Sequence, residues 1–177
     1  ALVVPLLERG RIPADQLLAV VGGSGSLEQR RGGLPAGIGL VAADDPSAQQ
    51  VWTAPIQLLA VKPQQIDAVA AAAGPVVGQP LLISVLAGVS LARLQHLFPG
   101  HRCVRAVPNA PALVGAGLTA LAWGEGIDPG QRDQVRQLFA ASEYRSLLPN
   151  GHYRNQVWAD PTAQEIMCIG IHGQSIY

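Results

Sequence analysis

Three strings hold the residues best placed to do chemistry, and each one closes an apolar run. Ile56-Gln57-Leu58-Leu59-Ala60-Val61 stops abruptly at Lys62-Pro63. The proline removes an amide donor and fixes the turn, so the backbone there cannot continue a strand ladder. The small residue Ala60 would let a flat ligand approach the main chain. Leu81-Leu82-Ile83-Ser84-Val85 runs into Leu86-Ala87-Gly88-Val89, where the glycine permits close approach of the backbone. Cys103-Val104-Arg105-Ala106-Val107 runs into Pro108-Asn109-Ala110-Pro111. Two prolines three apart make a rigid turn around Asn109, and an amide on a rigid turn can orient a ligand by hydrogen bonding. Taken singly, each string also fits a plain strand end: a solvated lysine, a strand-to-helix turn, an asparagine in a turn.

These strings need a scaffold, and the pattern around them supplies one. Short continuous apolar runs at Leu17–Val21, Ile38–Ala42, Ile56–Val61, Leu81–Val85, Cys103–Val107 and Leu118–Trp123 read as strands, mostly buried ones. Between them lie segments of helical period. Ala1–Arg9 has a broad apolar face and Gly10 to end it, while Ser26–Arg31 is a stub. Pro46–Ala54, Gln64–Ala73, Ser90–Phe98 and Asp128–Ala141 complete the helices, with Ser90 and Asp128 as candidate caps. Strands alternating with helices at this spacing imply βαβ units and a mostly parallel sheet, which binds ligands beyond the carboxyl ends of its strands. All three strings fall at such ends. From about Tyr144 to Tyr177 both periods fade, so residues 1–141 are expected to form the α/β unit and 142–177 a divergent, irregular tail.

Composition narrows the function classes. Of 177 residues, 49% are apolar and 14% charged, which argues against disorder. Lys plus Arg and Asp plus Glu balance at 12 each, so no strong field draws the chain to nucleic acid or to a membrane surface. Two cysteines, Cys103 and Cys168, make no disulfide framework, and a reduced, cytoplasmic setting is expected. No apolar run reaches the ~18 residues of a membrane span, and Ala1–Gly10 lacks the pattern of a secretory signal. His152, Cys168 and His172 fit no closed zinc spacing, and no metal is expected.

In this order, the three strings resemble the pyrroline-5-carboxylate reductase family. That family carries Ala-Val-Lys-Pro-Gln, then Ile-Ser followed by Ala-Gly-Val, then Arg, Met-Pro-Asn-Thr-Pro and Val-Gly-x-Gly. The chain reads Ala60–Gln64, Ile83–Val89 and Arg105–Gly117 at those places, with Val107 for the methionine and Ala110 for the threonine. The resemblance implies a Rossmann-type domain that binds NADPH or NADH. It also implies hydride transfer to the C=N carbon of 1-pyrroline-5-carboxylate, giving proline. Ala60, Val61, Lys62, Pro63, Ala87 and Gly88 would line the cofactor, and Pro108 and Asn109 would lie near the nicotinamide and the imine substrate. After the first strand of this chain, Ser24, Ser26, Arg30 and Arg31 are candidates for a 2′-phosphate, since the forked guanidinium suits phosphate. No acid directly follows that strand to take ribose hydroxyls, which favours NADPH; Asp45 is a candidate for a cofactor-facing asparagine of the family. No proton donor can be assigned.

The family begins with a strand and a Gly-x-Gly-x-x-Ala turn that seats the pyrophosphate on a helix N-terminus. Ala1–Gly10 resembles the remainder of that helix, and the start without methionine reads as a cut inside a longer protein. The expected sheet therefore lacks its first strand, leaving edges at Val20 and at Leu58-Leu59. Family members are homo-oligomers whose later helices form the dimer and carry Ser-Gly-Ser-Gly-Pro-Ala-Tyr. Here Gly170–Tyr177 is at best a degraded echo of that segment, so the dimerisation and substrate region is not expected in this chain. Three readings stay open: an imine reductase by descent, a non-catalytic nucleotide-binding fragment, or another Rossmann dehydrogenase acting on a hydroxy acid.

Overall fold

A computed structural model describes residues 3–74, 76–108, 119–140 and 166–171. Seven strands form one sheet: β1 (Leu17–Val21), β2 (Gly39–Ala42), β3 (Ile56–Leu59), β4 (Leu81–Ser84), β5 (Arg102–Pro108), β6 (Thr119–Trp123) and β7 (Ile166–Ile171). Their spatial order is β2-β1-β7-β3-β4-β5-β6. β1 runs parallel to β2, and β3, β4 and β5 are parallel neighbours. β6 and β7 run the other way. Because β7 is antiparallel to both β1 and β3, those two share one direction, and β1 to β5 all point their carboxyl ends to the same edge.

The strands form where apolar runs can be buried on both faces. All four residues of β3 and all four of β4 are buried. On one face, α1 (Val3–Glu8) and α5 (Pro129–Ala140) set Val3, Leu6, Val135, Leu138 and Phe139 against Leu17, Ala19, Leu58, Ile83 and Val104. On the other, α3 (Ile66–Ala73) and α4 (Leu91–Leu97) set Ile66, Val69 and Leu94 against Leu59, Leu82 and Cys103. A 3₁₀ helix over Pro46–Thr53 adds Ala48 and Val51 over Val20. Alternate residues of β5 face opposite layers: Val104 and Ala106 face α1 and α5, Cys103 faces α3 and α4. The remaining helix, α2 (Ser24–Arg31), follows β1.

The expected fold class stands, and the six strands read from the sequence lie within a residue or two of their observed bounds. One part of the reading is corrected. The tail is not irregular throughout, because Ile166–Ile171 is a strand. It also removes the expected bare edges, since Val20 pairs with Cys168, Leu58 with Ile169 and Leu59 with Cys168. The physical reason is the need to satisfy two rows of backbone donors and acceptors that would otherwise be buried unpaired. Ile166-Met167-Cys168-Ile169-Gly170-Ile171 is an unbroken run without charge or proline, and it meets that need from either direction. The expected division at 141/142 falls beside residues outside the described set.

Candidate functional site

The described turns after β1, β3 and β4 all leave the sheet at the common carboxyl edge of those strands. Register fixes its levels: Leu59 stands beside Ser84, and Ser84 beside Arg105. The turns carrying Lys62 and Gly88 therefore leave neighbouring strands from one level. After β3, Ala60 is half-buried and Val61 buried, whereas Lys62 and Pro63 are exposed. Pro63 opens a 3₁₀ turn over Pro63–Gln65, where its missing donor costs nothing. The turn closes with Gln65 N–H donating to the Lys62 carbonyl at 2.9 Å.

After β4, the ladder runs one step further, with Val85 N–H donating to the Leu59 carbonyl at 3.0 Å. The buried Ser84 hydroxyl then accepts from Leu86 N–H at 3.3 Å and bends the chain into its loop. Ala87 and Gly88 are exposed there. Gly88 has φ +73°, and nothing lies within 4 Å of where its Cβ would be. Only a glycine holds that backbone without strain, and it leaves open space for a ligand. Pro108 ends β5; Asn109 lies outside the described residues.

After β1, Gly22 and Gly23 lead into α2, with Ser24 its first residue and Ser26 in its first turn. Arg30 and Arg31 fall in its last turn, the first half-buried and the second exposed. One acid stands beside this turn without following β1 directly: Asp44 comes just after the end of β2, and its Oδ2 lies 3.6 Å from where a Cβ on Gly23 would stand. Its signal in the sequence is Asp44-Asp45 at the close of the second strand. Asp45, by contrast, is committed to capping: its Oδ1 accepts from Ser47 N–H at 2.8 Å and from Ser47 Oγ at 2.6 Å. Those bonds hold its carboxyl below the usual range.

A dinucleotide fits this edge in part. The turns after β3 and β4 offer exposed main chain and a glycine cradle, and the turn after β1 offers two glycines. The centre differs. β7 enters reversed, so its first residue, Ile166, comes to the crevice edge beside Val21. α1 (Val3–Glu8) packs over β1 and β3, and the residues before it lie outside the described set. Cys103 supplies no nucleophile, because burial pushes its thiol up to about 11. At the opposite end of the sheet lies an open polar hollow of about 380 Å³, lined by Gln79, His101, Arg102 and Glu125 among others.

An open sheet wound on both faces, with ligand-sized turns at one carboxyl edge, defines a Rossmann-type α/β protein. No family model matches the chain. It is 46% identical over 101 residues to the pyrroline-5-carboxylate reductase of Synechocystis, covering 57% of this chain and 37% of that protein. It is 34% identical over 144 residues to that of Pasteurella multocida, covering 80% and 51%. A solved pyrroline-5-carboxylate reductase from Coxiella burnetii superposes with TM-score 0.51 and 28% identity over 60% of this chain and 40% of that one. The Plasmodium falciparum pyrroline carboxylate reductase, solved with NADP bound, gives 0.66 at 18% identity, over 80% and 50%, and so speaks to the fold. The chain belongs to the pyrroline-5-carboxylate reductase family. Its matches span about a third to a half of the length of those curated relatives.

Proposed function

We propose that the protein this chain represents reduces 1-pyrroline-5-carboxylate to L-proline with NADPH or NADH. The observation that carries the reading is the common level of the turns after β3 and β4, fixed by Leu59 beside Ser84. When bound, the cofactor would supply the hydride; the protein orients it and excludes competing reactions. Ala60, Val61, Lys62 and Pro63 would line one wall and Ala87 and Gly88 the next. Pro108 and Asn109 would lie near the nicotinamide and the imine. Ser24 and Arg30 would stand at the adenosine end, where an arginine suits a 2′-phosphate and Asp44 suits free ribose hydroxyls. Residues 1–141 would carry these contacts, and 142–177 would contribute the sheet's β7. The setting would be the cytoplasm, in keeping with a free, buried Cys103; no described helix is long and apolar enough to cross a membrane. Members of the family assemble as homo-oligomers, and the proposal extends to the whole protein.

A second reading is favoured by one observation, the reversed β7 at the centre of the crevice. With the entry of a reversed strand beside Val21, the chain would hold a nucleotide but turn over slowly or not at all. One titration separates the readings. The purified chain is mixed with NADPH and the cyclic imine, and loss of reduced nicotinamide absorbance is followed beside direct binding. Turnover supports the reductase. Binding without turnover supports the nucleotide-binding fragment. Turnover of a 2-hydroxy acid with the oxidised cofactor, and none of the imine, would overturn both.

A further inference from the structure

Among the described residues, none pairs with the buried Nε–H of Arg105. The arginine sits on β5 level with Ser84, the last residue of β4, three positions before Pro108. Cys103, two residues earlier, faces α3 and α4, whereas Val104 and Ala106 face α1 and α5. Strand alternation therefore turns Arg105 to the α3 and α4 face, under the loop that carries Ala87 and Gly88. The residue is half-buried, and its Nε is shut off from solvent with no hydrogen-bond partner. Two polar groups on that side, Asp67 and Ser84, are already engaged. Asp67 of α3 is held by Arg93 of α4 at 2.9 and 3.1 Å. The Ser84 hydroxyl accepts from Leu86 N–H.

A shielded, unpaired guanidinium N–H is costly, and a protein keeps such a group where something else completes it. A guanidinium is completed best by a planar or tetrahedral oxyanion, which takes two parallel N–H donors. We infer that Arg105 is an anion-binding residue of the crevice, taking a carboxylate or phosphate oxygen of the bound ligands. Two sources present that chemistry: the carboxylate of the cyclic imine and the phosphates of the dinucleotide. The inference rests on the proposed function for those two sources, but the anion site itself does not.

The Nε–H group of Arg105 gives a direct readout by nitrogen–proton NMR of the full chain, which a purely structural arginine would not move. The chain is titrated separately with NADPH, with L-proline, with inorganic phosphate, and with chloride at equal ionic strength. The Arg105 signal is expected to shift saturably with phosphate and with NADPH or L-proline, the responsive one naming the source, and not with chloride. R105Q should weaken binding of that ligand about tenfold or more, and R105K should recover part of it. A signal that moves with none of the three anions beyond chloride overturns the inference. So does R105Q binding NADPH and L-proline within about twofold of the parent chain. If the parent chain fails to bind NADPH while phosphate still shifts the signal, the anion site stands and the reductase reading falls. If NADPH binds and leaves the signal still, with L-proline and phosphate also silent, the reverse holds.

Discussion

Gln57 is fully buried in an apolar strand, and its hydrogen bonds decide the state of a histidine. Its amide donates to the Trp52 carbonyl at 3.0 Å and the Ala54 carbonyl at 3.1 Å. That leaves only Oε1 to face His101 Nε2 at 3.0 Å, so the imidazole must donate there. The rings of Trp52 and Phe98 pack around His101, and burial lowers its pKa from 6.5, only partly opposed by the Phe98 carbonyl. The unfolded chain thus binds a proton more readily than the folded one. The stabilisation is complete above 6.5 and falls as pH drops from there through the depressed folded value. Urea unfolding across that window should show it, and His101→Gln should flatten the slope. Gln57→Leu leaves the imidazole N–H unpaired and should cost about 1–3 kcal/mol at neutral pH. Asp44 carries a different expectation at the same scale. A carboxylate beside the Gly22-Gly23 turn disfavours a 2′-phosphate, so Asp44→Asn should raise the NADPH-to-NADH affinity ratio by roughly 3- to 10-fold. Equal titrations of both cofactors check it. Gln57 did not stand out in the sequence, and Asp44 had only its place at a strand end. A polar residue inside an apolar run and an acid one strand away become meaningful only when the fold brings their partners close.

The elements were more legible than these side chains. β1, β3 and β4 are short apolar runs closed by Gly22-Gly23, Lys62-Pro63 and Ala87-Gly88, and such punctuation survives in any fold that buries both faces. Ser90 could be read as a cap because capping is local, and its hydroxyl does accept from Arg93 N–H at 3.2 Å. β7 was missed because its reason to be a strand is not local. A six-residue apolar run cannot be told from a fragment of anything else until two open edges flank it. Backbone pairing on both sides makes it central: Ile169 stands between Ala19 and Leu58. Ile169→Pro removes an amide donor from the middle of the sheet. It should convert cooperative thermal unfolding into a broad, early transition, whereas Ile169→Val should not. Ending the chain after residue 165 should go further and leave β1 and β3 with bare edges. Light scattering should then rise at concentrations where the full chain stays clear; equal scattering would mean that β7 is dispensable.

At the scale of the molecule, the question is what a sheet with its central strand reversed can still bind. The described flanking turns keep their direction, because β1, β3, β4 and β5 all end at one edge of the sheet. A ligand's adenosine and nicotinamide ends would meet the same kinds of turn as in any Rossmann-type domain. Its pyrophosphate would meet the entry of β7 at Ile166. Free N–H groups and the helix dipole are what make a helix N-terminus favourable to anions, and the entry of a strand supplies neither. Binding by this chain should therefore come mainly from the two ends and little from the bridge between them. Adenosine 2′,5′-bisphosphate should bind within about tenfold of NADPH, where a seated pyrophosphate would separate them further. Calorimetric titration of the two ligands against the same preparation measures the gap. A much larger preference for the whole dinucleotide would mean that another part of the chain holds the bridge, and the second reading of the function would fall with it.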